Sequence, residues 1–212
     1  MNIHSIYRRI SPMFRRKRMA QFLARLRPGA TDKILDIGGY PYCWAEAEVA
    51  FPVRIVNIDV PPGMDRWQPQ ISMEYGDATK LTFGDRSFDL AYSNSVIEHL
   101  GTWENQLAFA KEARRVARKL WVQTPARWFP IEPHLIAPFV HYLPKAIQKH
   151  LLRRATVWGW MTRPTPAAVD QFLKEVRLLT MREMKQLFPD CVILRERILG
   201  LTKSYIAVRD SI

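Results

Sequence analysis

Cysteine is scarce. The 212-residue chain has two, Cys43 and Cys191, far apart and in no CxxC pair. That spacing argues against a disulfide framework and a cysteine-based zinc site, and makes a reducing cytoplasm the expected compartment. No uninterrupted apolar run reaches the roughly 18 residues a membrane-spanning helix needs, so none is expected. The early arginines have no apolar stretch behind them, so they do not form a secretory signal. There is no internal repeat and no low-complexity tract. Acidic residues are missing altogether from the first 30 positions, which hold eight Lys or Arg.

Apolar residues make up 48% of the chain, ample for a packed core. The length suits one α/β domain with an elaboration. The net charge of +12 is uneven. Residues 31–124 carry ten bases and thirteen acids, whereas residues 125–179 carry eight bases and three acids. Basic zones of this kind either attract polyanions and anionic head groups or simply form a solvated surface.

Residues 5–27 read as a helical arm interrupted near Ser11-Pro12 and ended by Pro28-Gly29. Strands are expected at 33–37, 53–59, 71–75, 87–93, 120–123, 192–199 and 205–209, the last two as a hairpin. Between them, helices are expected at about 44–49, at 103–118 with Thr102 as N-cap, and at 180–188. The last opens on the capping box Thr180-Met181-Arg182-Glu183. Strands alternating with helices imply a parallel sheet covered on both faces. Residues 125–179 break the rhythm with seven of the fifteen prolines and three of the seven tryptophans, and read as a cap between the fifth and sixth strands.

Ligands of open parallel sheets bind beyond the carboxyl ends of the strands, where the strand order reverses. Strand one ends in Asp36-Ile37-Gly38-Gly39, strand two in Asp59-Val60, strand three in Gly76-Asp77-Ala78 and strand four in Ser93-Asn94-Ser95. Glycine lets backbone approach a ligand closely. Asp59, about twenty residues beyond the glycines, is placed to accept both hydroxyls of a ribose. The dinucleotide pattern G-x-G-x-x-G fails, because Tyr40 and Cys43 stand where glycines belong. No Gly-Lys-Ser/Thr occurs either, which removes a phosphate-binding loop. Asp36 would repel a phosphate and can hold an ammonium. S-adenosylmethionine has an ammonium, a ribose and an adenine, and no phosphate.

The ordered set Ile34 to Gly39, Val56 to Asp59, Gly76-Asp77-Ala78 and Phe88 to Leu100 resembles the class I S-adenosylmethionine-dependent methyltransferases of the small-molecule type. The likeness covers roughly residues 30–124 and, more loosely, the final hairpin. It implies a Rossmann-like, doubly wound, mostly parallel seven-stranded sheet with a C-terminal antiparallel hairpin and a helical cap insertion. Residues 1–29 would be a basic helical arm, and residues 30–212 the methyltransferase domain with the cap at about 125–179. By the same resemblance Asp36, Gly38 and Gly39 line the methionine end, Asp59 with Val60 the ribose, Asp77 and Ala78 the adenine, and Ser93-Asn94 the floor beside the sulfonium. The family usually has Asp-x-Gly-x-Gly; Tyr40 replaces its second spaced glycine. That departure leaves open a methyltransferase-like binding module recruited to a membrane surface or polyanion.

Methyl transfer to oxygen or nitrogen profits from a base, and His99 and His134 are the candidates. Alignment alone also accelerates the reaction, so a base is not obligatory. The spacing of His99, Glu132 and His134 is no metal signature, and no metal is expected. The tryptophans of the cap read as its core, with an acceptor pocket as the sharper alternative and a lipid interface as a third. The acceptor is expected to be a small molecule or a lipid- or saccharide-linked group, with peripheral membrane contact through the basic arm. Nucleic acid is not expected: Ser93-Asn94-Ser95-Val96 stands where amino-methylating nucleic-acid enzymes carry Asn/Asp-Pro-Pro-aromatic, and no Pro-Cys pair exists.

Overall fold

The computed structural model describes residues 3–45, 47, 49–63, 66–132, 135 and 137–210, with backbone alone for residues 3–13, 45, 66 and 67. The chain begins with helix α1 (Ile3–Leu26), which runs without a break through Ser11-Pro12. Pro12 gives up its own N–H bond, but its fixed φ is helical, so the expected interruption does not occur. Then come β1 (Ile34–Ile37), α2 (Pro41–Ala45), β2 (Val53–Asn57), β3 (Arg66–Gln68), β4 (Ile71–Tyr75), β5 (Phe88–Asn94), α3 (Trp103–Val116) and β6 (Ala117–Pro125). The expected helix at 44–49 starts earlier, at Pro41, a residue preorganised for a first helical position. In α3 the Thr102 side chain accepts from the Asn105 amide, as an N-cap should.

A single twisted sheet carries the order β3-β4-β2-β1-β5-β6-β10-β9, where β9 is Val192–Ile198 and β10 is Leu201–Arg209. Strands β4, β2, β1, β5 and β6 run parallel. β10 and β9 close the far edge as an antiparallel hairpin. These seven strands form the expected doubly wound Rossmann-like sheet. β3 is an addition, a three-residue antiparallel edge strand following Pro61-Pro62-Gly63. The order reverses between β1 and β5, so the crevice of the switch point opens there.

Each face buries its own core. On one, α3 and α7 (Met181–Leu187) press Phe109, Ala113, Met184 and Phe188 against Leu35, Ile37, Ala91 and Val122. Thr180 and Glu183 form the capping box that starts α7. On the other face α1 contributes Met19, Phe22 and Leu26. Phe22 meets Trp44, Tyr92 and Trp121 edge to face at 5.8, 5.0 and 5.9 Å, contacts of the order of 1 kcal/mol each beyond their burial. The second half of α1 is thus core, and Arg18 reaches Glu196 of β9 at 3.3 Å.

Ala126 pairs with Leu179, and the Arg127 amide donates to the Leu179 carbonyl. The chain between them leaves and returns at one point. It contains β7 (Ile131–Glu132) paired with β8 (Ala137–Pro138), then α4 (Lys145–Arg154), α5 (Val157–Thr162) and α6 (Pro166–Glu175). Its separate small core is Leu135, Ala137, Val140, Leu152 and Val169, with Trp158 and Phe172 packed against it. Of the three tryptophans read as core, only Trp158 joins it. Trp128 and Trp160 are 62% and 67% exposed. α5 also touches α1. Among the described residues no helix is long and apolar enough to cross a membrane.

Candidate active site

The β1 and β5 ends are stitched together at the switch point. Ser93, fully buried in β5, donates its hydroxyl to the Ile37 carbonyl at 2.8 Å. Asn94 follows, half-buried, with its Oδ1 enclosed and without a partner among the described residues. A buried carbonyl oxygen left without a donor is costly unless something supplies one. Ser95 takes a left-handed backbone (φ 57°), and its amide and hydroxyl donate to the carbonyl and side chain of Gln123 on β6.

The loop after β1 is compressed against its surroundings. Gly38 has φ +83°, and a Cβ there would lie 2.5 Å from the Val96 side chain. A Cβ on Gly39 would lie 1.8 Å from Asp36 Oδ2. Both glycines are therefore required, but the space they free is filled by Val96 and Asp36 of the protein itself. Asp36 is 1% exposed and accepts from Trp44 Nε1 at 2.6 Å. Burial pushes its carboxyl up to about 7, with the Trp44 bond pulling the other way. Its Oδ1 is enclosed and has no partner among the described residues.

The next rim residues are open. Asp59 is exposed and accepts from the Tyr40 hydroxyl at 3.1 Å. Burial, then the Asp59 carboxylate, raise the Tyr40 phenol above its ordinary value. Tyr40 also stacks on Tyr42 at 5.7 Å. Val60 is half-buried against the α1-side core. Asp77 is exposed, its Oδ1 accepting from the amide and hydroxyl of Thr79. Ala78 packs against the α3-side core. All of these sit at the carboxyl ends of β1, β2, β4 and β5, so the fold gathers Asp36, Gly38, Gly39, Asp59, Val60, Asp77, Ala78, Ser93 and Asn94 along one edge.

Sequence reasoning missed Asn57. This last residue of β2 donates its amide to the Gly38 and Gly39 carbonyls at 3.2 and 3.0 Å, while its Oδ1 accepts from the Asp59 amide. It fixes the first two rim loops to each other. A polar side chain closing the apolar run Ile55-Val56, two places before an acid, was the available signal.

Glu98 and His99 part company. Glu98 is fully buried and accepts from the Thr124 hydroxyl at 3.0 Å, and its carbonyl accepts from the Arg177 amide. His99 is exposed on the 3₁₀ turn 97–100 that follows β5. His134 lies outside the described residues. The half-buried His141 was not foreseen: its Nε2 donates to the Arg127 carbonyl at 3.0 Å, and burial lowers its pKa. Asp89 is structural, accepting from the Lys33 amide across the base of the sheet. Among the described residues no group of three or more His, Cys, Asp or Glu is arranged to hold a metal ion.

Residues 35–120, from β1 into β6, match a protein family described as a methyltransferase domain. No curated protein matches the sequence. Solved structures share the fold. One is a SAM-dependent methyltransferase from Methanosarcina mazei (17% identity, 85% of this chain and 92% of that one, TM-score 0.51). Another is the 1,6-didemethyltoxoflavin-N1-methyltransferase of Burkholderia thailandensis, with bound 1,6-didemethyltoxoflavin and S-adenosylhomocysteine (15%, 92% and 76%, TM-score 0.57). A third is phosphoethanolamine N-methyltransferase 2 of Haemonchus contortus in complex with S-adenosyl-L-methionine (15%, 84% and 38%, TM-score 0.56). Such identities establish a common fold. The family match adds that residues 35–120, which hold the β1–β5 rim, are similar to a methyltransferase domain, and the chain shares the fold of the solved S-adenosylmethionine-dependent methyltransferases.

Proposed function

We propose that the chain transfers a methyl group from S-adenosylmethionine, held along the β1–β2–β4–β5 edge, to a small-molecule or a lipid- or saccharide-linked acceptor chosen by the cap. The observation that carries this is the set of hydrogen-bond acceptors along the edge. Asp59 and Asp77 offer exposed carboxylates, Asn94 an enclosed unpartnered carbonyl oxygen, and the glycine loop carries no Lys or Arg. These groups suit hydroxyls, an amine and a cation, and oppose a phosphate.

In this reading Asp59 accepts the ribose hydroxyls, with Val60 beside it. Asp77 and Ala78 flank the adenine. Gly38 and Gly39 present their backbone to the methionine end. Asp36 acts through the loop, since its carboxyl is sealed beneath Gly39 and bonded to Trp44. Ser93 and Asn94 form the floor next to the reacting carbon. The cofactor supplies an electrophilic methyl on a sulfonium. The protein's part is to align the acceptor with it and to exclude water. His99 and His134 remain the proposed bases for acceptors that must lose a proton.

A second reading, a binding module without turnover, rests on Tyr40, whose hydroxyl already engages Asp59. Calorimetry with S-adenosylhomocysteine separates the two. Micromolar binding that Asp59→Ala weakens at least tenfold supports the enzyme. No heat at millimolar ligand, with the protein folded, sinks it.

A further inference from the structure

From residue 133 to residue 169 the chain has no acidic side chain, yet it has five Lys and Arg. Two of the five are engaged: Lys149 pairs with Asp170 at 2.7 Å, and Lys145 donates to the Leu173 carbonyl at 2.9 Å. The other three, Arg153, Arg154 and Arg163, are exposed, and their side chains have no hydrogen bond or ion pair among the described residues. All three converge on one cleft of about 280 Å³ between α4 and α5, completed by Gly159.

The convergence is built in. A Cβ on Gly159 would lie 2.0 Å from the Leu152 carbonyl oxygen, so the two helices touch backbone to backbone there. Thr156, buried at the corner, accepts from the Gly159 amide and donates to the Leu152 carbonyl. The Arg154 carbonyl accepts from Trp160 Nε1, and the Leu151 carbonyl from the Ala155 amide. Carbonyls at a helix C-terminus repel an anion, and here they are turned to internal donors. Arg163 caps α5 in the left-handed conformation (φ 46°, ψ 55°), where glycine is the usual residue. The usual glycine is thus replaced by a cation at the lip of the cleft.

We propose that this cleft is an anion site for a phosphate-bearing group. Three guanidinium groups with no paired carboxylate among the described residues repel one another. A phosphoryl or diphosphoryl oxyanion relieves that repulsion and accepts their forked N–H pairs. Such a group arrives either on a soluble molecule or in a phospholipid head group. The site stands on the cap's own geometry and does not depend on methyl transfer.

The test is direct binding by the full chain without cofactor, in low salt. Calorimetry with phosphate and with pyrophosphate reports the soluble source. Co-sedimentation with phosphatidylcholine vesicles, with and without phosphatidic acid, reports the lipid one. Either pyrophosphate binding or phosphatidic-acid-dependent sedimentation is expected, weakened roughly tenfold or more in R153A/R154A/R163G. The charge-matched K111A/R182A/K185A, whose changes lie on α3 and α7, should stay within about twofold of the parent. The proposal falls if neither probe binds at millimolar phosphate, if both triple variants lose affinity equally, or if RNA binds while pyrophosphate does not. Because the three arginines are exposed, thermal unfolding of the first variant should occur no lower than that of the parent chain.

Discussion

The Tyr40 hydroxyl donates to Asp59 Oδ2 at 3.1 Å, linking the loop after β1 to the loop after β2. The residue that stands in place of a glycine in the loop is thereby fastened to the carboxylate proposed to hold the ribose. The bond is exposed, so it holds Asp59 in place without closing it off, and in the proposed function Oδ1 would accept a ribose hydroxyl. Tyr40→Phe should weaken S-adenosylhomocysteine binding by less than about fivefold, the worth of one exposed hydrogen bond. Calorimetry on the single variant decides it; a gain in affinity would mean that Tyr40 competes with the cofactor.

Gly39 has no room for a side chain because Asp36 fills that room. Gly39→Ala should lower stability by about 2–4 kcal/mol through overpacking, a shift readable in the urea midpoint. Shrinking the obstacle should restore part of it, so the double variant D36A/G39A should be more stable than the sum of its single changes implies. Strict additivity would show that the two residues do not meet.

Asp36 carries a pH signature. Its folded pKa of about 7 stands above the unfolded value near 3.8, so the folded state holds the proton more tightly. Stability from this group is therefore full below pH 4, falls as pH rises toward 7, and is constant above that. Between pH 5 and pH 8 the loss amounts to about 3 kcal/mol. Asp36→Asn has no proton to lose and keeps an acceptor for Trp44, so its melting temperature should change less over that range. Parallel melting curves at pH 5 and pH 8 for the two proteins would contradict the shift.

Much of this was legible in the residues. The seven main strands, Thr102 and the Thr180–Glu183 box come from local chemistry, period and capping, and the structure places them where that chemistry puts them. Elements whose shape depends on distant partners were not legible. Ser11-Pro12 looks like a break when read locally, yet α1 continues, and Phe22 and Trp121 meet across about half the chain. The glycines of the first loop were read as room for a ligand. Only the folded chain reveals Val96 and Asp36 in that room. Asn57 escaped notice for the same reason, since its partners lie in a different loop.

Arg18 and Glu196 form an ion pair at 3.3 Å in which each side chain is 8% exposed. Removing one member leaves the other charged and buried. Arg18→Met should cost about 3 kcal/mol, while R18M/E196Q should recover most of it. Equilibrium denaturation of the three variants measures the coupling; an Arg18→Met cost under about 1 kcal/mol would class the pair with ordinary surface bridges.

Arg163 offers the opposite trade. Its left-handed backbone favours glycine, so Arg163→Gly should leave stability unchanged or raise it by up to about 1 kcal/mol. The same change should weaken binding in the α4–α5 cleft. Thermal unfolding and pyrophosphate titration on one preparation read both; a destabilised Arg163→Gly would mean that the side chain serves the fold.

The long reach of α1 has a consequence for assembly. Arg18 waits for a carboxylate 178 positions downstream, and Phe22 for Trp121. Closing loops of that length is slow compared with forming a helix. During synthesis this basic helix is made early, yet its apolar stripe is only partly covered by Trp44, Tyr92 and Trp121 until Ile206 and Val208 of the last hairpin complete that core. The final β-strands therefore do double duty, finishing the sheet at one edge and supplying the partners that settle the first helix on its face.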